Sequence, residues 1–294
     1  IQLVEKIGTT TGYTLVGVVD KQSNLGVNSF ADLKSVPDVI IDFSLCDFVD
    51  HTVMEGLYDY QRSFDRKNGV FETIGLDIHA AQTQHPFAVR KSLPINMLMG
   101  LKNSLTNRQK NLSALAKQLS WEYLPKIDSS PKGIKGFLFF ESKVVNYSVN
   151  RLVDRKQKFN VFDLSYSEGA FITKEDLKGT FLLFKSPIIL PVFVLDKEDF
   201  KTALYQWAGF NDINFKKHPD FSKRFHLSGH DHAKIKSLFN SDLIYFFESH
   251  PIFHIESNGK HLLIKGNDRL SGLQEIKIMI TFAKDLVSLL KNQK

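Results

Sequence analysis

Two short apolar runs near the start of the chain constrain the fold more than any other sequence feature. They cover residues 13–19 and 38–44, and both are continuous instead of alternating with polar residues. Continuous runs of this length are typical of parallel strands that are buried on both faces. Val49, Val53 and Leu57 then follow at helical spacing. This pattern predicts a βαβ unit whose front is truncated, with residues 1–6 as the tail of a preceding helix.

The rest of the chain has a different pattern. Four runs rich in phenylalanine, at 136–141, 159–166, 180–184 and 191–195, are typical of strands. The dipeptide at 258–259, Asn-Gly, lies between two further strand-like runs and predicts a β-hairpin.

A helix is predicted at the end of the chain. Its apolar residues recur at helical spacing from Ile276 to Leu290, and Ser271 with Gln274 forms a capping-box pattern before them.

These patterns predict an α+β fold. A truncated Rossmann-like βαβ piece is followed by a larger mixed α+β domain with mainly antiparallel strands. The predicted organisation is a dinucleotide-binding-like segment at 1–57, a linker with short helices at 58–100, and an α+β domain at 101–294.

Charge and cysteine content exclude several classes of protein. Residues 1–57 carry a net charge of −5 and the remainder +11, but the basic residues form no long runs, so no nucleic-acid partner is expected. The single cysteine, Cys46, excludes a disulfide framework and a four-cysteine zinc site, and it fits a reducing compartment. No apolar run reaches the length of about 18 residues that a transmembrane helix requires. A cytoplasmic location is expected, with a membrane-peripheral position as the alternative.

The first segment resembles a known enzyme family. The stretches GYTLVGVVDK (12–21) and PDVIIDFSLCDFV (37–49) are similar to the nucleotide-binding domain of bacterial 4-hydroxy-tetrahydrodipicolinate reductase, which uses NADH or NADPH in lysine biosynthesis. The resemblance covers about the first fifth of the chain. It implies that Asp20 and Lys21 contact the adenosine ribose or its 2′-phosphate, and that Phe43 and Ser44 lie beside the cofactor.

The departures from this family are as informative as the match. The glycine-rich loop that would hold the cofactor pyrophosphate is absent, and so is the catalytic stretch of a His pair, a Lys and a DAPSGT-like loop. No residue of this chain can therefore be assigned a catalytic role from the resemblance.

A second resemblance covers residues 112–265. The segments LSALAKQLSWEY (112–123), FNVFDLSYSEG (159–169) and FNDINFKKHPDFSKRFHLSGHD (210–231) are similar to a bacterial domain of unknown function that usually follows membrane helices. This resemblance implies a fold and a membrane-proximal or protein partner, but no chemistry. A natural fusion and a rearranged or misassembled reading frame both fit the combination of the two resemblances.

The histidines do not predict a metal site. His226, His230 and His232 are separated by a Ser-Gly loop signal, and His250 and His254 would lie about 13 Å apart on a strand. We expect these side chains to be solvated or singly hydrogen bonded. Cys46 has no identifiable base partner, so core packing is its expected role.

Two functional hypotheses follow. The first is a non-catalytic α+β interaction module that carries a reductase-derived fragment and needs no cofactor. The alternative is an NAD(P)H-dependent reductase, which this chain could form only if the glycine loop and catalytic half were supplied from elsewhere.

Overall fold

The computed structural model describes residues 2–6, 12–16, 38–44, 46–65, 70–94, 97, 105–128, 133–156, 158–169, 175–197 and 211–292. The chain divides into two compact units, Ile1–Leu115 and Ala116–Lys294, which are called the first and second units below. The α+β class predicted from the sequence is confirmed, because helices accompany one largely parallel sheet and one large antiparallel sheet.

The first unit is built around a four-stranded sheet in the order β1-β2-β3-β5 among the described residues. Strands β2 and β3 pair in parallel, as do β3 and β5, whereas β1 is antiparallel to β2. The elements are β1 (Gln2–Lys6), β2 (Gly12–Val16), β3 (Asp38–Asp42), β4 (Phe48–Val49), α1 (His51–Asp65), β5 (Val70–Ile74), β6 (His79–Ala81), β7 (Arg90–Ser92) and α2 (Asn107–Leu119).

The two strands predicted in the first segment are present as β2 and β3, which pair in parallel, and the predicted helix after them is present as α1. The predicted connection between the two strands lies outside the described residues. Asp50 starts α1, because its carboxylate accepts a hydrogen bond from the Val53 amide at 2.8 Å. Val53 and Leu57 on the helix pack with Val39 and Ile41 of β3 in one buried cluster. The prediction of a helix tail at residues 1–6 is wrong, since Gln2–Lys6 form a strand that pairs with β2.

The residues predicted as a linker, 58–100, contain regular structure in the first unit. Tyr58 to Asp65 complete α1, because Tyr60 continues its buried stripe, and β5 adds the fourth strand of the sheet. Strands β4, β7 and β6 form a separate three-stranded antiparallel sheet in this part of the chain.

The second unit contains an antiparallel sheet of nine strands within the described residues, in the order β13-β14-β12-β15-β16-β11-β10-β9-β8. Its strands are β8 (Glu122–Leu124), β9 (Lys143–Asp154), β10 (Phe159–Glu168), β11 (Glu175–Lys185), β12 (Val192–Lys197), β13 (Asn211–Asp212), β14 (Phe225–Gly229), β15 (His254–Asn258) and β16 (His261–Lys265). The hairpin predicted at Asn258-Gly259 joins β15 and β16, and Gly259 adopts a φ of 92° there.

Helices pack on one face of this sheet. They are α3 (Pro219–Arg224), α4 (His232–Leu238), α5 (Ser241–Ser249) and α6 (Leu273–Asn292). Ring contacts join the helices to the strands, such as Phe239 with Phe193 and Phe221 with Phe225. No helix in the described part of the chain is both long enough and apolar enough to cross a membrane.

The predicted closing helix is present as α6, but its start differs in detail from the predicted capping box. The Glu275 carboxylate, not Gln274, accepts a hydrogen bond from the Gly272 amide at 2.7 Å. The Ser271 amide instead donates to the Thr180 hydroxyl on β11 at 2.8 Å. The Gly272 carbonyl accepts the first hydrogen bond of the helix, from the Ile276 amide, so Gly272 is the N-cap residue. Glu275, three residues later, therefore completes the cap.

The opposite face of the large sheet is covered by residues 134–140. Ile134 and Phe137 are buried there against Phe181 and Leu263. The strand predicted at 136–141 is wrong, because Leu138–Phe140 form a 3₁₀ turn that follows Gly136 at a φ of 84°. The phenylalanine pattern therefore indicated contact with the core, since Phe137 is buried and Phe139 and Phe140 are partly buried, but it did not indicate the backbone conformation.

Candidate functional site

Two of the four residues predicted to contact a cofactor lie at the carboxyl edge of the parallel strands. Phe43 and Ser44 directly follow β3, at the edge where open α/β sheets bind ligands. The Phe43 side chain is buried in the core of the first unit, and Ser44 is buried as well. Asp20 and Lys21 lie outside the described residues. The cofactor role of all four residues stays a prediction.

Protein backbone packs closely against Ser44 at this edge. Gly75 follows β5 with a φ of 84°, and a Cβ atom built on it would lie 2.3 Å from the Ser44 amide nitrogen. The Ser44 amide donates to the Asp42 carboxylate at 2.7 Å. The ends of β3 and β5 are therefore held by contacts within the chain itself.

His79 connects the two loops that follow these strands. Its ring is buried, with Nδ1 3.0 Å from the Gly75 carbonyl oxygen and Nε2 2.6 Å from the Cys46 carbonyl oxygen. Cys46 itself packs in the core cluster of the first unit. Both residues thus contribute to the packing of this edge.

The second unit contains a row of charged side chains within its sheet. His254 lies on β15, between Asp196 on β12 and Lys265 on β16. It pairs directly with Lys265. The register that pairs Leu195 with Ile255 places Asp196 beside His254 when it is extended by one residue. All three residues are buried. We call Asp196, His254 and Lys265 the charged row.

Two carboxylates hold the imidazole of His254. Its Nδ1 lies 2.8 Å from Asp196 Oδ2, and its Nε2 lies 3.2 Å from Glu256 Oε1. Burial alone lowers the pKa of His254, but the hydrogen bonds to Asp196 and Glu256 and their negative charges outweigh burial and raise the pKa to about 9. The ring is therefore an imidazolium at neutral pH.

The 3₁₀ turn Leu138–Phe140 covers this group. The Phe139 amide donates to Glu256 Oε1 at 2.9 Å and also approaches Oε2 at 3.2 Å. The Phe139 ring lies 5.4 Å from the His254 ring and 5.4 Å from the Lys265 ammonium nitrogen. One aromatic ring thus contacts both cations of the charged row, a favourable cation–π geometry.

Two further groups complete the surroundings of Lys265. Its ammonium forms an ion pair with Asp268. The nearby Tyr166 ring packs on Phe139, and burial raises the pKa of its phenol, an effect that the Asp268 and Glu168 charges strengthen. Tyr166 is therefore neutral at physiological pH.

This arrangement favours a structural role over a catalytic one. A general base needs an unprotonated nitrogen within reach of its substrate, whereas both nitrogens of the His254 imidazolium face carboxylates. In the residues that the structure describes, no group of three or more His, Cys, Asp or Glu side chains has the geometry to hold a metal ion.

His254 is buried instead of solvated, with a hydrogen bond between Nδ1 and Asp196 and an ion pair between Nε2 and Glu256. The spacing of His254 and Glu256 carried a usable signal, since residues two apart on a strand share a face. The partner Asp196 is 58 residues away along the chain, so only the pairing of β12 with β15 reveals it. His226 is also buried, with Nε2 3.9 Å from Asp212 Oδ1, whereas His230 is exposed.

Comparison with known proteins adds little to this description. No family model matches the chain, and no curated protein matches it. The chain has a weak structural similarity to the crystal structure of the mycobacterial trehalose monomycolate transport factor A, TtfA, with a TM-score of 0.43 and 10% identity over 63% of this chain and 96% of that chain. A similarity this low supports neither a fold assignment nor a function.

Proposed function

We propose that this chain is a non-catalytic α+β interaction module whose first segment derives from a nucleotide-binding reductase domain. The observation that carries the proposal is the state of His254, an imidazolium whose two ring nitrogens both face carboxylates. In this state the buried His254 stabilises the sheet and supplies no base or nucleophile.

The first unit supports the same proposal. The carboxyl edge of its parallel strands is packed by Gly75 against Ser44 and connected by His79 to the backbone of Cys46. A dinucleotide site of the reductase type needs free backbone amides for the pyrophosphate, whereas the Ser44 amide at this edge already donates to Asp42.

Calorimetric titration of the full chain with NADPH and NADH tests this proposal. We expect no saturable heat at millimolar cofactor. A dissociation constant near 1 μM, which corresponds to about −8 kcal/mol, would overturn the proposal and favour the reductase.

Two variants make the titration specific. If NADPH binds and the substitutions Asp20→Ala and Lys21→Ala weaken it, the site is the one that the resemblance implies. If the variants bind NADPH as the unmodified chain does, a cofactor site exists elsewhere, and the non-catalytic proposal is equally overturned.

A further inference from the structure

Three loops of the second unit meet at one end of its antiparallel sheet. The register of the strands places these loops at the same end. The last residue pairs there are Asp154 with Phe159 for β9 and β10, Lys185 with His261 for β11 and β16, and Val192 with Asn258 for β12 and β15. The turn between β9 and β10, the loop 186–191 and the hairpin turn 258–260 therefore share an end of the sheet. We call this surface the turn end.

The loop 186–191 presents apolar side chains to solvent. Ile189 is 89% exposed, and Val192 directly after the loop is 47% exposed. The loop is nevertheless fixed, because the Leu190 amide donates to the Gly259 carbonyl at 3.0 Å and the Ser186 amide donates to the Lys260 carbonyl at 2.9 Å. Leu190 is buried beneath it. Ile189 is therefore held outward by a defined loop instead of a frayed terminus.

Three lysines lie at the same end of the sheet as this apolar loop. Lys158, Lys185 and Lys260 are all exposed at the turn end. Lys185 on β11 pairs with His261 on β16, Lys260 directly precedes His261, and Lys158 directly precedes β10, the other neighbour of β11. Burial lowers the pKa of the His261 imidazole, and the positive charges of these three lysines lower it further.

The acidic groups at this end are already engaged. The Glu122 carboxylate pairs with Arg155 at 2.6 Å, and the buried Asp154 accepts a hydrogen bond from the Lys156 amide at 2.9 Å. The turn end therefore presents a net positive surface around Ile189.

The opposite end of the same strands carries charges of both signs. Glu168 lies opposite Glu175 where β10 and β11 pair, and Asp176 lies opposite Ser167. Lys143 pairs with Glu168 at 3.3 Å. Acidic side chains at that end thus lie beside basic ones, whereas lysines predominate at the turn end.

We propose that the turn end docks on an anionic lipid bilayer. Ile189 and Val192 enter the boundary between headgroups and acyl chains, while Lys158, Lys185 and Lys260 contact lipid phosphates. Charge complementarity selects this partner, because exposed ammonium groups are attracted to an anionic membrane surface and an apolar tip between them gains from leaving water. The inference rests on the proposed function, since it names the partner of the interaction module.

Vesicle co-sedimentation of the full chain tests the proposal. We expect binding to vesicles of phosphatidylglycerol with phosphatidylcholine, and little binding to phosphatidylcholine alone. Ile189→Asp should reduce the partition coefficient roughly tenfold, and the pair Lys158→Glu with Lys185→Glu should reduce it by at least as much. High salt should weaken the binding, because exposed charges are screened.

Matched controls lie at the opposite end of the sheet. Val144 is 67% exposed on β9, so Val144→Asp introduces the same charge into another exposed apolar site. Lys217 is exposed before α3 and serves as the control for charge reversal through Lys217→Glu. We expect both variants to bind anionic vesicles as the unmodified chain does. Equal losses in the controls, or equal binding to neutral vesicles, would overturn the proposal.

A fluorescent label gives a second readout that does not depend on affinity. An environment-sensitive dye on Ile189→Cys should shift to shorter wavelength with anionic vesicles, and the same dye on Val144→Cys should not. Cys46 is buried and should not compete for the label. No shift at position 189 would overturn the docking geometry.

The two proposals fail independently. A chain that binds neither vesicles nor NADPH would remain a non-catalytic module whose turn end is not a membrane surface. Saturable NADPH binding would overturn the proposed function whatever the vesicle result.

Discussion

The two units of the chain bury positive charge in different ways. In the first unit, Arg108 on α2 meets Glu72 on β5 at 3.3 Å, and the two side chains are only 1% and 6% exposed. In the second unit, His254 lies between Asp196 and Glu256. A guanidinium keeps its charge at any accessible pH, whereas an imidazolium releases its proton when the pH rises past its pKa. The cation of the Arg108–Glu72 pair therefore persists at every accessible pH, whereas the cation of the His254 group depends on pH.

The largest expected effect comes from breaking the permanent pair. Arg108→Met should lower the free energy of unfolding of the chain by about 3–5 kcal/mol, because Glu72 would remain buried without its guanidinium partner. Urea denaturation followed by circular dichroism measures the change.

The double variant Arg108→Met with Glu72→Leu is the control. It should recover most of the lost stability, since an apolar pair can replace a buried ion pair. A loss below about 1 kcal/mol in the single variant would show that the pair is not the main electrostatic contact of the first unit.

The second effect is a pH dependence that belongs to the second unit. The pKa of His254 is raised from 6.5 to about 9 in the folded chain, so its stabilising contribution is complete below pH 6.5 and is lost as the pH rises through about 9. The full contribution is about 3 kcal/mol. Denaturation midpoints measured across this interval should fall steadily.

His254→Gln should flatten this dependence, although the variant itself is less stable. His261→Gln is the matched control on the neighbouring strand, and it should retain the decrease in stability. An equal slope in His254→Gln and the unmodified chain would contradict the assignment of the titration to His254.

The smallest effect compares two glycines with positive φ. Gly75 in the first unit and Gly259 in the second have φ values of 84° and 92°. Gly75→Ala should lower the free energy of unfolding by about 2 kcal/mol or more. The added Cβ would clash with the Ser44 backbone, and alanine would also have to adopt an unfavourable positive φ. Gly259→Ala should cost only about 1 kcal/mol, since its Cβ would lie 3.7 Å from the Leu190 carbonyl oxygen. Equal thermal midpoints for the two variants would show that the close packing at Ser44 contributes nothing.

Sequence reasoning identified elements whose signal is local. The continuous apolar run before Ser44 predicted a parallel strand, and the Asn258-Gly259 dipeptide predicted a hairpin. Both predictions are confirmed, because backbone conformation there follows from neighbouring residues.

The elements that sequence reasoning missed depend on distant partners. Residues 136–141 have the composition of a strand, but Phe139 directs its amide to Glu256, which is 117 residues away. The charged row forms only when β12, β15 and β16 pair in the observed register. The spacing of residues along the sequence does not indicate that register. Long-range pairing, not local propensity, therefore determines the interior of the second unit.

Nitrogen-15 NMR of the histidine side chains tests the central claim most directly. At neutral pH the account predicts that both ring nitrogens of His254 are protonated, with a titration near pH 9 whose signal is assigned by its loss in His254→Gln. A neutral His254 ring that titrates near 6.5 would contradict the account, because an unprotonated nitrogen would then be available for chemistry.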